Sequence, residues 1–108
     1  MVETQHSSLQ MSFGELTIDL EKYQVRVRGR ALVLPYREYA ILAYLAGRLG
    51  QVVSRRRLLE EGLGRHDAGA LRMVDEHVRH LIGVLEREGQ FVLSVEEEAG
   101  YRFNAGKP

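Results

Sequence analysis

Arg72-Met73-Val74-Asp75-Glu76-His77-Val78-Arg79-His80-Leu81-Ile82-Gly83-Val84-Leu85 is the stretch on which the fold turns. Val74, Val78, Leu81, Ile82 and Leu85 fall at i, i+4, i+7, i+8 and i+11, one apolar stripe at helical period. Arg72, Asp75, Glu76, Arg79 and His80 lie off that stripe, toward solvent or a partner. No proline or β-branched run interrupts the segment. The spacing predicts a helix over residues 71–87, closed near Gly89 as a C-terminal cap. A buried stripe with arginine and histidine on the open face suits a helix that reads a nucleic-acid groove. The same pattern also describes an ordinary amphipathic core helix, so the decision rests on the flanking sequence.

Before this helix, residues 11–34 alternate at period two. Leu16, Ile18 and Leu20 alternate with Thr17 and Asp19, and Val25 and Val27 with Arg26 and Arg28. Leu32 and Leu34 extend the alternation, and Gly29 is a hairpin position. This predicts a small antiparallel sheet of three or four strands with one buried face. Residues 1–10 are polar and patternless and read as a flexible N-terminal segment, leaving 11–108 as the folded domain. Pro35 suits the first turn of a helix whose stripe is Tyr39, Leu42, Leu45, Ala46 and Leu49, with Gly50 closing it. Gln51-Val52-Val53 is a short extended link. Ser54 is an N-cap for a second helix that points Leu58, Leu59 and Leu63 inward, without a capping box because Arg57 stands at its fourth position. Residues 62–70, with three glycines, form a loop. Past the central helix, residues 91–95 and 99–103 are two strands around an acidic tip, Glu96-Glu97-Glu98. The fold class is α+β: an N-terminal antiparallel sheet, three helices and a C-terminal β-hairpin wing, a winged helix-turn-helix.

Composition narrows the function. The chain has 108 residues, 44% hydrophobic and 28% charged, in keeping with one soluble domain. No run is long enough to span a membrane, and the start lacks a signal-peptide pattern. Without cysteine there is no disulfide framework and no thiolate metal site, and a cytoplasmic location is expected. The four histidines show no metal-ligand spacing, so no metal and no cofactor are expected. There is no nucleophile–base pair, glycine-rich phosphate loop or carboxylate pair with a cleft to serve, so an enzyme is not expected. Fifteen basic side chains balance fifteen acidic ones, whereas nucleic-acid binders are usually basic. The charge is partly segregated: residues 55–72 hold five arginines against Glu60, Glu61 and Asp67.

Phe13-Gly-x-Leu16, Val25 to Gly29, Leu34-Pro-x-x-Glu38-Tyr-x-Ile-Leu42, Val53-Ser-Arg55-x-x-Leu-Leu59, Arg72-x-Val-Asp75-x-His77-Val-x-x-Leu81 and Gly100-Tyr-Arg-Phe103 occur in this order. Together they resemble the OmpR/PhoB-type effector domain of bacterial two-component response regulators, over about residues 11–104. The resemblance implies a DNA-binding transcription regulator whose third helix enters the major groove and whose wing reaches the neighbouring minor groove. It implies double-stranded DNA as partner, RNA polymerase as a further partner of the loop at residues 62–71, and a homodimer. Mapped residue by residue, the implied DNA contacts are Arg55, Arg56, Arg72, Glu76, Arg79, His80, Tyr101 and Arg102. Arg55 to Arg57 also sit at a helix N-terminus, where amide N–H groups and guanidinium forks converge on phosphate. The other reading of these residues is a solvated basic patch, an Arg79 paired with Asp75 or Glu76 one turn away, a packed His77, and a Tyr101 packed against the third helix.

The departures from the family pattern are specific. Ile82 and Gly83 stand where two basic residues are usual, Glu96-Glu97-Glu98 replaces an Arg-Gly wing tip, Pro35 replaces a threonine cap, and Leu63 stands where tryptophan is common. No phosphoacceptor receiver is encoded, so the chain is read as a stand-alone effector domain or one piece of a larger assembly. A degenerate winged helix recruited to bind a protein partner is the alternative reading.

Overall fold

The computed structural model describes residues 9–104, so most of the expected N-terminal segment and the last four residues lie outside the described residues. Strands β1 (Gln10–Phe13), β2 (Leu16–Asp19), β3 (Gln24–Val27) and β4 (Arg30–Ala31) form an antiparallel sheet in that order. Gln10, expected in the N-terminal segment, opens β1 opposite Asp19. The register sets Leu16 opposite Val27 and Ile18 opposite Val25, all buried on one face as the alternation predicted. Arg28 and Gly29, both at positive φ (53° and 83°), make the two-residue turn between β3 and β4. Asp19 ends β2 buried and accepts the amides of Glu21 and Lys22 at 3.0 and 2.9 Å. The Lys22 amide foremost holds its carboxyl below the usual carboxylate range. Beyond Ala31 the pairing ends with Leu32 N–H to Val25 O at 2.8 Å, and Leu32 and Leu34, expected to continue the strand, are half-buried connectors packed on the core.

Helix α1 spans Tyr36–Ala46, with Pro35 just outside it as N-cap and its carbonyl accepting the amides of Glu38 and Tyr39. The helix is shorter than expected. It ends at Gly47, a poor helix former, and the last turn tightens through Arg48 N–H to Leu45 O. Leu49, assigned to the buried stripe, is 48% exposed, and Gly50 serves the turn rather than a cap, donating its amide to Phe103 O at 2.8 Å. Ser54 caps the next helix as read, its Oγ accepting the Arg57 amide at 3.1 Å. That helix, α2 (Arg55–Arg57), runs into a π-wound turn at Leu58–Gly62 that buries Leu58 and Leu59. A 3₁₀ turn, Ala68–Ala70, leads into α3 (Leu71–Arg87). Gly89 follows α3 at φ 79°, the left-handed closing residue that the sequence called for.

The wing is the element that the sequence described least well. Strands β6 (Leu93–Glu96) and β7 (Gly100–Phe103) form the expected hairpin, but Val52–Val53, read as a link, is a third strand, β5, paired with β7. A two-residue strand has no period to read. Gly100 makes this pairing possible: at φ 137°, an added Cβ would lie 2.0 Å from the Val53 carbonyl oxygen. Val74, Val78, Leu81 and Leu85 of α3 are buried with Ile41, Leu42 and Leu45 of α1, Leu58, Leu59 and Phe103 in one core. Ile82, the remaining residue of the stripe, is only half-buried and turns toward the wing.

Candidate nucleic-acid interface

Asp75 joins three elements. Its Oδ2 accepts Arg55 Nη1 at 2.7 Å, tying α3 to the start of α2. Its Oδ1 accepts the Tyr101 hydroxyl at 2.6 Å, tying α3 to β7. Arg79 therefore does not pair with Asp75, one turn away, as one reading of the sequence had it; the carboxylate is already taken from both sides. Among the described residues Arg79 makes no ion pair, and its exposed side chain opens into a cleft of about 300 Å³ between α3 and the wing. Arg55, Asp75, Val95, Glu96, Glu98, Gly100 and Tyr101 line the rest of that cleft. Burial, and then the bond to Asp75, push the Tyr101 phenol up to about 12.

The outer face of α3 carries Arg72, Glu76, Arg79 and His80, all exposed. Arg55 and Arg56 stand beside it at the start of α2, with Arg56 also 3.6 Å from Glu60 one turn on. His77 is packed, as one reading had it: its Nδ1 lies 2.9 Å from Glu38 Oε2 on α1. His80 Nδ1 lies 2.6 Å from the other oxygen of the same carboxylate. Glu38 is only 3% exposed and entered the sequence reading as part of a motif without a role; no local pattern ties it to histidines 39 and 42 residues away.

On the wing, the acidic tip divides. Glu96 is not in the turn but ends β6, where it accepts Arg102 Nη2 at 2.6 Å and Ser94 Oγ at 3.0 Å. Asn104 Nδ2 donates to Ser94 Oγ at 3.1 Å and extends the network. Arg102 is thus paired within the hairpin, and Tyr101 is hydrogen-bonded to Asp75. Glu97 and Glu98 form the turn, with Glu98 at φ 60°. Val95, 55% exposed, shares a smaller hollow with Ile82, which stands where a basic residue is usual in the family. The loop before α3 is held at its base by Arg65 N–H to Leu59 O, and Arg65 forks onto Asp67 at 2.8 and 3.2 Å. Among the described residues no helix is long and apolar enough to cross a membrane, and no cluster of side chains could hold a metal ion.

This architecture has relatives. The family model described as "Transcriptional regulatory protein, C terminal" matches residues 29–103. The sensory transduction protein RegX3 of Mycobacterium leprae is 33% identical over 75 residues, 69% of this chain and 38% of RegX3. The heme response regulator HssR of Staphylococcus aureus is 30% identical over 76 residues, 70% of this chain and 34% of HssR. The chain thus spans well under half the length of these curated relatives. Among solved structures, the RstA DNA-binding domain of Klebsiella pneumoniae, in complex with the RstA box, superposes with a TM-score of 0.77 at 29% identity, covering 90% of this chain and 98% of that one. The DNA-binding domain of CpxR from E. coli superposes with a TM-score of 0.79 at 26% identity, covering 93% and 100%. The matched residues run from the β3–β4 turn to the end of the wing and take in α3 and the Asp75 hub, so this chain belongs to the family of C-terminal domains of transcriptional regulatory proteins, of the OmpR/PhoB effector type.

Proposed function

We propose that this domain binds duplex DNA as the effector of a bacterial response regulator, with α3 in the major groove and the wing over the neighbouring minor groove. One observation carries the reading. The exposed face of α3 with Arg72, Glu76 and Arg79, flanked by Arg55 and Arg56 at the start of α2, sits on the fold of an RstA domain solved on its DNA box. In this arrangement Arg55, Arg56 and Arg72 contact phosphate, and Arg79, Glu76 and His80 face base edges. Tyr101 and Arg102 act from behind, Tyr101 by fixing Asp75 and Arg102 through its exchange with Glu96. The domain works in the cytoplasm by binding, without chemistry of its own; the loop at residues 62–71 is the surface left for RNA polymerase, and pairing of two domains on adjacent half-sites supplies the rest of the affinity.

Titration of labelled duplex DNA across a salt series tests this. Each phosphate neutralised contributes about 0.9 to the slope of log affinity against log salt, so three or four arginines give a slope of about −3 to −4. Alanine at Arg72 should flatten it by about one. No binding to duplex DNA at low salt would overturn the reading in favour of a module that binds protein.

A further inference from the structure

Two histidines on the DNA-facing helix share one buried carboxylate. Glu38 is 3% exposed, His77 22% and His80 54%, so the carboxylate is shut in while the second ring stays open to solvent. Both contacts are made through Nδ1, at 2.9 and 2.6 Å. An ionised carboxylate only accepts, so each Nδ1 carries a hydrogen. That fixes the tautomer and leaves each Nε2 as the titrating atom: an acceptor when the ring is neutral, a donor when it is charged. We propose that this His77–Glu38–His80 cluster links DNA binding to proton uptake, with His80 Nε2 as the group that carries the change to the DNA. The proposal rests on the DNA-binding reading given above.

The electrostatic surroundings favour this. A carboxylate withdrawn from water and touching two imidazoles is stabilised by charging one of them, because an unpaired buried charge is costly. Glu76, at i−4 from His80, adds a second negative neighbour on the same helix. Against these stand Arg37 on α1 and Arg65 from the loop, whose guanidinium groups reach Met73 Sδ at 3.5 and 3.6 Å, one turn before His77. Around the cleft Arg55 and Arg79 oppose Asp75, Glu96 and Glu98. Among the described residues, Glu38 is the one hydrogen-bonded to the two rings. A neutral His80 suits an amino group of cytosine or adenine, whereas the imidazolium suits phosphate or the N7 and O6 acceptors of guanine. Phosphate near the ring favours its charged form, which is the reciprocal side of the same linkage.

The test uses the whole chain and a fixed fluorescent duplex, with affinity measured from about pH 8 to pH 6 at constant ionic strength. Linkage limits the change to about tenfold per pH unit for each proton taken up. We expect a tightening of about tenfold over the range, a salt slope steeper by about 0.9 at the acid end, and loss of both in His80→Gln. His66→Gln, which changes an exposed loop histidine, should leave the profile in place. Glu38→Gln keeps size and an acceptor but removes the charge, and should shift the response to lower pH; its fold is checked by thermal melting, and the His80 variant stands as evidence if it melts early. Binding that does not vary with pH, or an unchanged profile in His80→Gln, overturns the inference while leaving DNA binding intact. Absence of binding at every pH overturns the DNA-binding reading instead.

Discussion

Tyr101 shows how one side chain serves both the fold and the interface. It is 8% exposed, closes β7 onto α3, and donates to the carboxylate that orients Arg55. Its phenol is pushed up to about 12, burial first and the Asp75 bond second. In the unfolded chain a tyrosine titrates near 10, about two units lower. Between those values the unfolded state has lost the proton that the folded state keeps. The raised value therefore contributes stability that is full below about pH 10 and is lost as pH rises through about 12. Chemical denaturation at stepped alkaline pH should show the parent losing up to about 1.4 kcal/mol per pH unit more than Tyr101→Phe in that window. Equal pH dependence would assign the alkaline loss to other groups. At neutral pH the same substitution should cost about 1 kcal/mol, the net worth of the hydrogen bond.

At the scale of elements, α3 carries two unrelated tasks on opposite faces. Its inner stripe is closed: Leu81 is fully buried in the common core, where neighbours cannot collapse freely. Leu81→Ala should cost about 2–5 kcal/mol in equilibrium unfolding. A loss below about 1 kcal/mol would mean that the inner face had been wrongly assigned. Its outer face holds Arg72, Glu76 and Arg79, exposed and without an ion pair among the described residues, so substitutions at these three should alter binding and leave the melting point in place. Helix propensity and spacing made α3 legible to within a residue. The end of α1 was less so: Gly50 was expected to close it, but the helix ends at Gly47 and the Gly50 amide bonds to Phe103 O across the following turn.

Over the whole molecule the formal charge is zero, and binding to a polyanion depends on how that charge is distributed. The basic side lies along α2 and the outer face of α3; the wing opposes it with Glu97 and Glu98, while Glu96 cancels Arg102 internally. Repulsion between a carboxylate and phosphate reaches about 10 Å at 0.1 M salt. Changing all three glutamates to glutamine should tighten DNA binding, with the larger gain at low salt. Glu96→Gln alone should steepen the salt slope by about 0.9, because it releases Arg102 to a phosphate. The wing lies away from the duplex if the triple variant binds as the parent does at every salt concentration.

The chain's local pattern was enough to determine the order of elements apart from β5, the faces of the strands and of α3, the Ser54 cap and the family. These depend on spacing over a few residues, and hydrophobic burial at period two or 3.6 is a local constraint. Tertiary structure alone decided which charges are free. Arg55 finds Asp75 across 20 residues, Tyr101 finds it across 26, and Glu38 meets His77 across 39. Arg102 is withdrawn by Glu96 only once the hairpin register sets β6 beside β7. Charged side chains are long, their pairings carry no period, and many partners are within reach of an unfolded chain. Packing of α1, α3 and the wing selects among them, and so decides which arginines remain open to a phosphate.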